Sequence, residues 1–282
     1  MTRHPLVTTE WLQAHLGDDN LRIVDIRGHV IPPTEPLPHY FNHYEDYVKS
    51  HIPGAVFVDW VHEITDPADP RHARIAPPER FAEVMSRCGI GDESFVVAYD
   101  DAAGMFAARL WWALNYYGHP SVAVLDGGWN KWIAEGRPIT AALPTIAPAI
   151  FTPRPQPEWI RTGDQVMARL HSSTRLVDVR SPQEFSGEWS RAKRAGHIPG
   201  AVNVPRQSLV APDGTLLPPE ALRARFAEAG IDESAPEIVT YCNAGVSASF
   251  GLLALRVAGF DNSANYDGSW KEWGNDDRRP IE

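Results

Sequence analysis

The stretch Glu237-Ile238-Val239-Thr240-Tyr241-Cys242-Asn243-Ala244-Gly245-Val246-Ser247-Ala248 decides how the chain is read. Its first five residues are short, β-branched and apolar, which predicts a buried strand. Ser249 to Ala258 is apolar enough to predict a buried helix. Cys242 therefore falls where a strand gives way to a helix. A thiol there meets the N–H groups of a tight loop and the positive end of a helix dipole, both of which favour a thiolate nucleophile. Packing, the usual role of a free cysteine, is the alternative.

Outward from this stretch, the chain repeats itself. Leu21-Arg22-Ile23-Val24-Asp25-Ile26-Arg27 is echoed by Thr174-Arg175-Leu176-Val177-Asp178-Val179-Arg180, and His51-Ile52-Pro53-Gly54-Ala55-Val56 by His197-Ile198-Pro199-Gly200-Ala201-Val202. Asp126-Gly127-Gly128-Trp129 returns as Asp267-Gly268-Ser269-Trp270. The echoes keep their order at a period far beyond that of a solenoid, so the chain is a domain duplication. Residues 141–157 carry Pro144, Pro148, Pro153, Pro155 and Pro157. That composition predicts an extended linker between a first domain, residues 1–140, and a second, residues 158–282.

Within each copy short β-branched runs alternate with helical patterns, as in Phe95 to Tyr99 before Ala107 to Tyr117, or Val122 to Leu125 before Gly128 to Ala134. The expected fold class is α/β, two tandem domains, each a central and mostly parallel sheet flanked by helices. Ligands of such sheets bind outside the carboxyl ends of the strands, where Cys242 falls. Aligning the copies sets Asp100 opposite Cys242. A core position rarely takes an unpaired carboxylate, so this pairing predicts that both loops open into a polar cleft and favours a chemical role for Cys242. Cys88 aligns with Ala229 at a helix end and is expected to be structural.

Composition excludes several classes. Net charge −10 and a pI near 5.5 argue against nucleic acid or an anionic membrane as partner. Two cysteines make no disulfide framework, and residues 1–20 lack an apolar signal core. A cytoplasmic protein with reduced thiols is expected. No phosphate-binding or dinucleotide fingerprint follows any strand, and no cofactor is expected. His29, His39, His43 and His51 are dense, but their spacing fits no zinc pattern, so no metal is expected. Trp129, Trp132, Trp270 and Trp273 recur between copies as packing residues.

Taken together, duplicated Asp-x-Arg, His-Ile-Pro-Gly-Ala, a strand ending in a cysteine-headed loop, and Asp-Gly-Gly/Ser-Trp resemble the two-domain rhodanese family of sulfurtransferases, over almost the whole chain. The resemblance implies that Cys242 takes a sulfane sulfur from a small anionic donor, holds it as a persulfide, and passes it to cyanide, a thiol or a protein acceptor. Asn243, Ala244, Gly245, Val246, Ser247 and Ala248 would form the active-site loop, its N–H groups turned to the sulfur. Asp178 would support it. Thiosulfate is the favoured donor and 3-mercaptopyruvate the alternative, with a non-catalytic persulfide relay as a third reading. Thiosulfate-specific members usually carry two basic residues after the cysteine, where this chain has Asn243 and Ala244. The arginine that both classes place after Asp-x-Arg corresponds to Glu184.

An anionic donor needs a cation, and the candidates are Arg180, Arg191, Arg194 and, from the first domain, Arg109. His72 falls near a histidine that mercaptopyruvate-specific relatives use. A cysteine phosphatase would need an arginine six positions after the cysteine, where Ala248 stands.

Overall fold

The computed structural model describes residues 4–70 and 74–282, so His72 lies outside the described residues. The chain divides into two units. One holds the chain up to Pro67, Ile75–Pro155 and Pro212–Thr215; the other holds Ala68–Arg74, Gln156–Ala211 and Leu216–Glu282. Pro212–Thr215 thus groups with the first unit although chain order assigns it to the second copy.

Strands of the first unit are Leu6–Val7 (β1), Leu21–Asp25 (β2), Gly28–Val30 (β3), Tyr40–Asn42 (β4), Val56–Phe57 (β5), Phe95–Tyr99 (β6) and Val122–Leu125 (β7). Its helices are Thr9–Ala14 (α1), Tyr44–Lys49 (α2), Pro78–Arg87 (α3), Met105–Tyr116 (α4) and Gly128–Ala134 (α5). β1, β7, β6, β2 and β5 form, in that order, an all-parallel sheet, and β3 pairs with β4 as an antiparallel hairpin. Every residue of β6 is buried, the signature of a parallel strand covered on both faces. Phe95, Val97 and Tyr99 share a core with Leu12, Trp129 and Trp132, while α4 lies against β6 and β7.

The second unit repeats this plan with strands Ile160–Arg161 (β8), Arg175–Asp178 (β9), Val202–Asn203 (β10), Ile238–Tyr241 (β11) and Ser263–Tyr266 (β12). Gly163–Met167 (α6), Pro182–Phe185 (α7), Pro219–Glu228 (α8), Val246–Val257 (α9) and Ser269–Trp273 (α10) are its helices. Sheet order is β10, β9, β11, β12, β8, again all parallel, which is the first sheet's order with corresponding strands. Val239, Tyr241, Tyr266, Trp270 and Trp273 fill its core.

Residues 141–156 form neither helix nor strand. Within the first unit their N–H groups find partners along α3 and beyond, as in Ala149 to the Ser86 carbonyl at 2.9 Å and Arg154 to that of Tyr117 at 2.9 Å. Hydrogen bonds of this kind let proline-rich chain lie on a surface without a ladder of its own. Cys88, at the end of α3, is buried. His51 is fully buried and hydrogen-bonded to the Tyr47 carbonyl, while His197 lies on Phe185 and bonds that residue's carbonyl.

Candidate active site around Cys242

β11 is the middle strand of its sheet, and Cys242 follows its last residue at the carboxyl end. The chain turns there on Gly245, whose φ of +72° is a left-handed conformation natural to glycine, and α9 begins at Val246. The helix thus starts three residues earlier than the apolar run from Ser249 predicts, so Val246, Ser247 and Ala248 are the first helical turn and only Asn243, Ala244 and Gly245 are loop. The physical reason is the glycine: it reverses the chain within one residue. The first N–H groups of a helix have no carbonyl one turn back, so these residues still present donors toward the loop.

Cys242 is 4% exposed. Burial pushes its thiol above the ordinary value, against N–H groups of Ala244 and Ala248 and the Ser269 hydroxyl, which favour the thiolate. The loop and dipole therefore do not depress the thiol as the sequence suggests, because the site is almost dry.

Sequence reading missed Ser269. Its hydroxyl accepts the N–H groups of both Cys242 and Gly245, each at 3.1 Å, and donates to the Tyr266 carbonyl at 2.7 Å. The adjoining N–H groups of Trp270 and Lys271 bond the carbonyls of Cys242 and Asn243, both at 2.9 Å. Asn265 completes the underside, donating to the Gly245 carbonyl at 3.1 Å.

The proposed cations have partners of their own. Arg180 is buried, its Nε 2.9 Å and its Nη2 2.6 Å from Asp178 Oδ2, its plane over Trp270, with Nη2 also on the Gly196 carbonyl at 2.8 Å. Desolvation raises the Asp178 carboxyl while Arg180 pulls it down. This pair ties the end of β9 to the His-Ile-Pro-Gly turn, and the buried Arg180 Nη1 has no hydrogen-bond partner among the described residues. Arg194 donates to the carbonyls of Trp273, Gly274, Asp276 and Arg279. It closes the chain after α10, a task for a guanidinium at a helix end, and is not the donor clamp expected. Arg191 lies over Trp189, and Arg109, in the first unit, is buried over Trp112.

Glu184 does not turn away from the loop. It is the third residue of α7, closes a capping box with Ser181, and takes the Asn243 side-chain N–H on Oε1 at 2.6 Å. The Asn243 Oδ1 atom is buried with no hydrogen-bond partner among the described residues.

In the first unit Asp100 occupies the place of Cys242. It does not open into a polar cleft: it is 1% exposed, and its carboxylate turns into its own loop. Oδ1 accepts from Ala102 and Gly104, both at 2.8 Å, and Oδ2 from Phe106 at 2.6 Å and Ala107 at 2.8 Å. Burial raises the Asp100 carboxyl, and four N–H donors oppose that by holding its oxygens without any cation. As at Cys242, the Asp100 carbonyl accepts from the tryptophan of the next motif, Trp129, at 2.8 Å.

A rhodanese-like domain profile matches residues 8–135 and again 162–276. The chain belongs to the rhodanese family. It is 36% identical to the sulfur carrier protein TtuD of Thermus thermophilus over 96% of this chain and 95% of that one, and 33% identical to the thiosulfate sulfurtransferase of Rattus norvegicus over 95% and 91%. Among solved structures, the 3-mercaptopyruvate sulfotransferase SseA of Escherichia coli superposes with a TM-score of 0.84 at 31% identity, covering 95% of this chain and 99% of that one. Two rhodanese domains, parallel sheets flanked by helices, and a place among the sulfurtransferases follow from these matches. No helix among the described residues is long and apolar enough to cross a membrane.

Proposed function

We propose that this rhodanese is an enzyme in which the Cys242 thiolate attacks the sulfane sulfur of a donor, keeps it as a persulfide and yields it to cyanide, a thiol or a protein acceptor. The observation that carries the reading is a single buried thiol at the carboxyl end of the central strand, faced by N–H groups of Ala244 and Ala248 and by a hydroxyl. With thiosulfate, the sulfur–sulfur bond of the donor breaks as the Cys242 Sγ–S bond forms, and sulfite leaves with the electron pair. The outer sulfur then carries the negative charge, where fixed N–H donors are worth most. Relatives named for thiosulfate support that donor, and the likeness to a 3-mercaptopyruvate sulfotransferase supports testing the second. The likeness to a named sulfur carrier supports a protein as physiological acceptor. We place the reaction in the cytoplasm, where the thiol stays reduced.

Intact mass spectrometry after incubation with either donor tests this. The wild type gains one sulfur atom that cyanide removes, and Cys242→Ser gains none. A mutant that still turns over a sulfane donor at the wild-type rate would sink the proposal.

A further inference from the structure

Of the cations expected around the thiol, Arg180 and Arg194 are engaged by partners of the second unit. Asp178 and Glu184 are both buried, and the one guanidinium facing them, Arg180, is paired with Asp178 and also feels the Glu184 charge. Two carboxylates thus share one guanidinium, whose Nη1 has no hydrogen-bond partner among the described residues. Glu184 is the member that reaches the loop itself, at Asn243 beside Cys242. Its carboxylate receives three donors, from the Ser181 N–H and hydroxyl and from Asn243, and so keeps a lone pair unmatched. Asn243 Oδ1 is a second acceptor without a donor. A donor that reaches Asn243 would meet acceptors, and the oxygens of a sulfonate are acceptors too.

We propose that Glu184, with the Asn243 carboxamide that it holds, selects the sulfur donor by charge, disfavouring the dianion thiosulfate and favouring a persulfide that carries an ammonium group beside its sulfur, as cysteine persulfide does. This rests on the reading of Cys242 as the sulfur carrier. In the favoured reaction the Cys242 thiolate attacks the outer sulfur of R–S–SH, the S–S bond of the donor breaks as the Cys242 Sγ–S bond forms, and the departing R–S⁻ takes the proton. Cys242–S–S⁻ and R–SH result. The ammonium N–H groups supply what Asn243 Oδ1 and Glu184 lack, and the charge that repels thiosulfate attracts the amine. Thiosulfate remains a donor, but a slow one.

The test compares three donors, thiosulfate, cysteine persulfide and the persulfide of 3-mercaptopropionate, which has the same length but no ammonium. The rate of sulfur loading, read by intact mass, gives kcat/KM for wild type, Glu184→Gln and Cys242→Ser. Removing one charge near the donor is expected to raise kcat/KM for thiosulfate about tenfold, and to erase an advantage of similar size that wild type gives cysteine persulfide over the mercaptopropionate persulfide. Unchanged ratios among the three donors in Glu184→Gln, with loading still dependent on Cys242, overturn the charge selection alone. Loading that survives Cys242→Ser overturns the underlying reading. Should Glu184→Gln not fold, Asn243→Asp decides: a second carboxylate beside Cys242 lowers kcat/KM for thiosulfate further and widens the advantage of cysteine persulfide over the mercaptopropionate persulfide, and unchanged ratios overturn the proposal.

Discussion

Ser269 has a φ of +50°, and Gly128, its counterpart in the first copy, has +54°. Glycine adopts this conformation at no steric cost, whereas a side chain raises it by roughly 1–2 kcal/mol. The second copy tolerates that strain because the serine hydroxyl satisfies the N–H groups of Cys242 and Gly245, and leaving a buried donor unpaired costs about 1–3 kcal/mol. Two such bonds outweigh one strained residue. Ser269→Gly is therefore expected to lower stability by about 1–3 kcal/mol despite relieving the backbone, seen as a lower Tm, and to slow sulfur loading. A second outcome belongs to Cys242. Burial raises its thiol, so alkylation and loading rates are expected to keep climbing past about pH 9.5, where an ordinary thiol of pKa about 8.5 levels off. The sign for folding is opposite: a raised thiol stabilises the fold below its unfolded pKa, and that contribution is lost as pH rises through the folded value. Cys242 was legible because a strand, a loop and a helix converge on it in sequence. Ser269 was not, since its role depends on a turn 27 residues further along the chain; the one trace was a serine replacing glycine within a repeated motif.

At the scale of elements, the strand and helix pattern read well where the pattern is strongly apolar, as in β6, β11 and α4. Helix starts read less well: α9 begins at a left-handed glycine, a conformation that apolar periodicity does not encode. The basic run Arg191 to Arg194 shows a different limit. Charge in a sequence does not say whether it faces a ligand or a carbonyl, and Arg194 binds four carbonyls at the end of α10 and after it. Arg194→Ala is expected to lose on the order of 2–3 kcal/mol, measured by urea denaturation, with a larger effect on stability than on the KM for any donor. A KM rise with unchanged stability would return Arg194 to the donor site. Glu184 makes the same point from the other side. Its capping box is local, within Ser181-Pro182-Gln183-Glu184, but the partner of its second oxygen, Asn243, is 59 residues away.

For the whole molecule, the duplication was the most legible fact, because motifs in preserved order need no tertiary information, and both sheets carry one strand order. The difference between the copies was legible only as a substitution, aspartate for cysteine. Its meaning needed geometry, for the Asp100 carboxylate faces inward onto Ala102, Gly104, Phe106 and Ala107. Asp100→Ala is expected to destabilise the first unit by on the order of 4 kcal/mol and to speed hydrogen exchange at the Phe106 and Ala107 amides. Protection unchanged at those amides would mean that the loop holds its shape without the carboxylate. The tether also has a consequence for inhibition. A carboxylate fixed to the chain is present at an effective concentration that no dissolved anion matches. Chloride, sulfate or excess substrate therefore cannot displace it, and competition by such ions falls on the Cys242 loop alone. A chain that contains its fold twice would then show anion inhibition with the stoichiometry of one site.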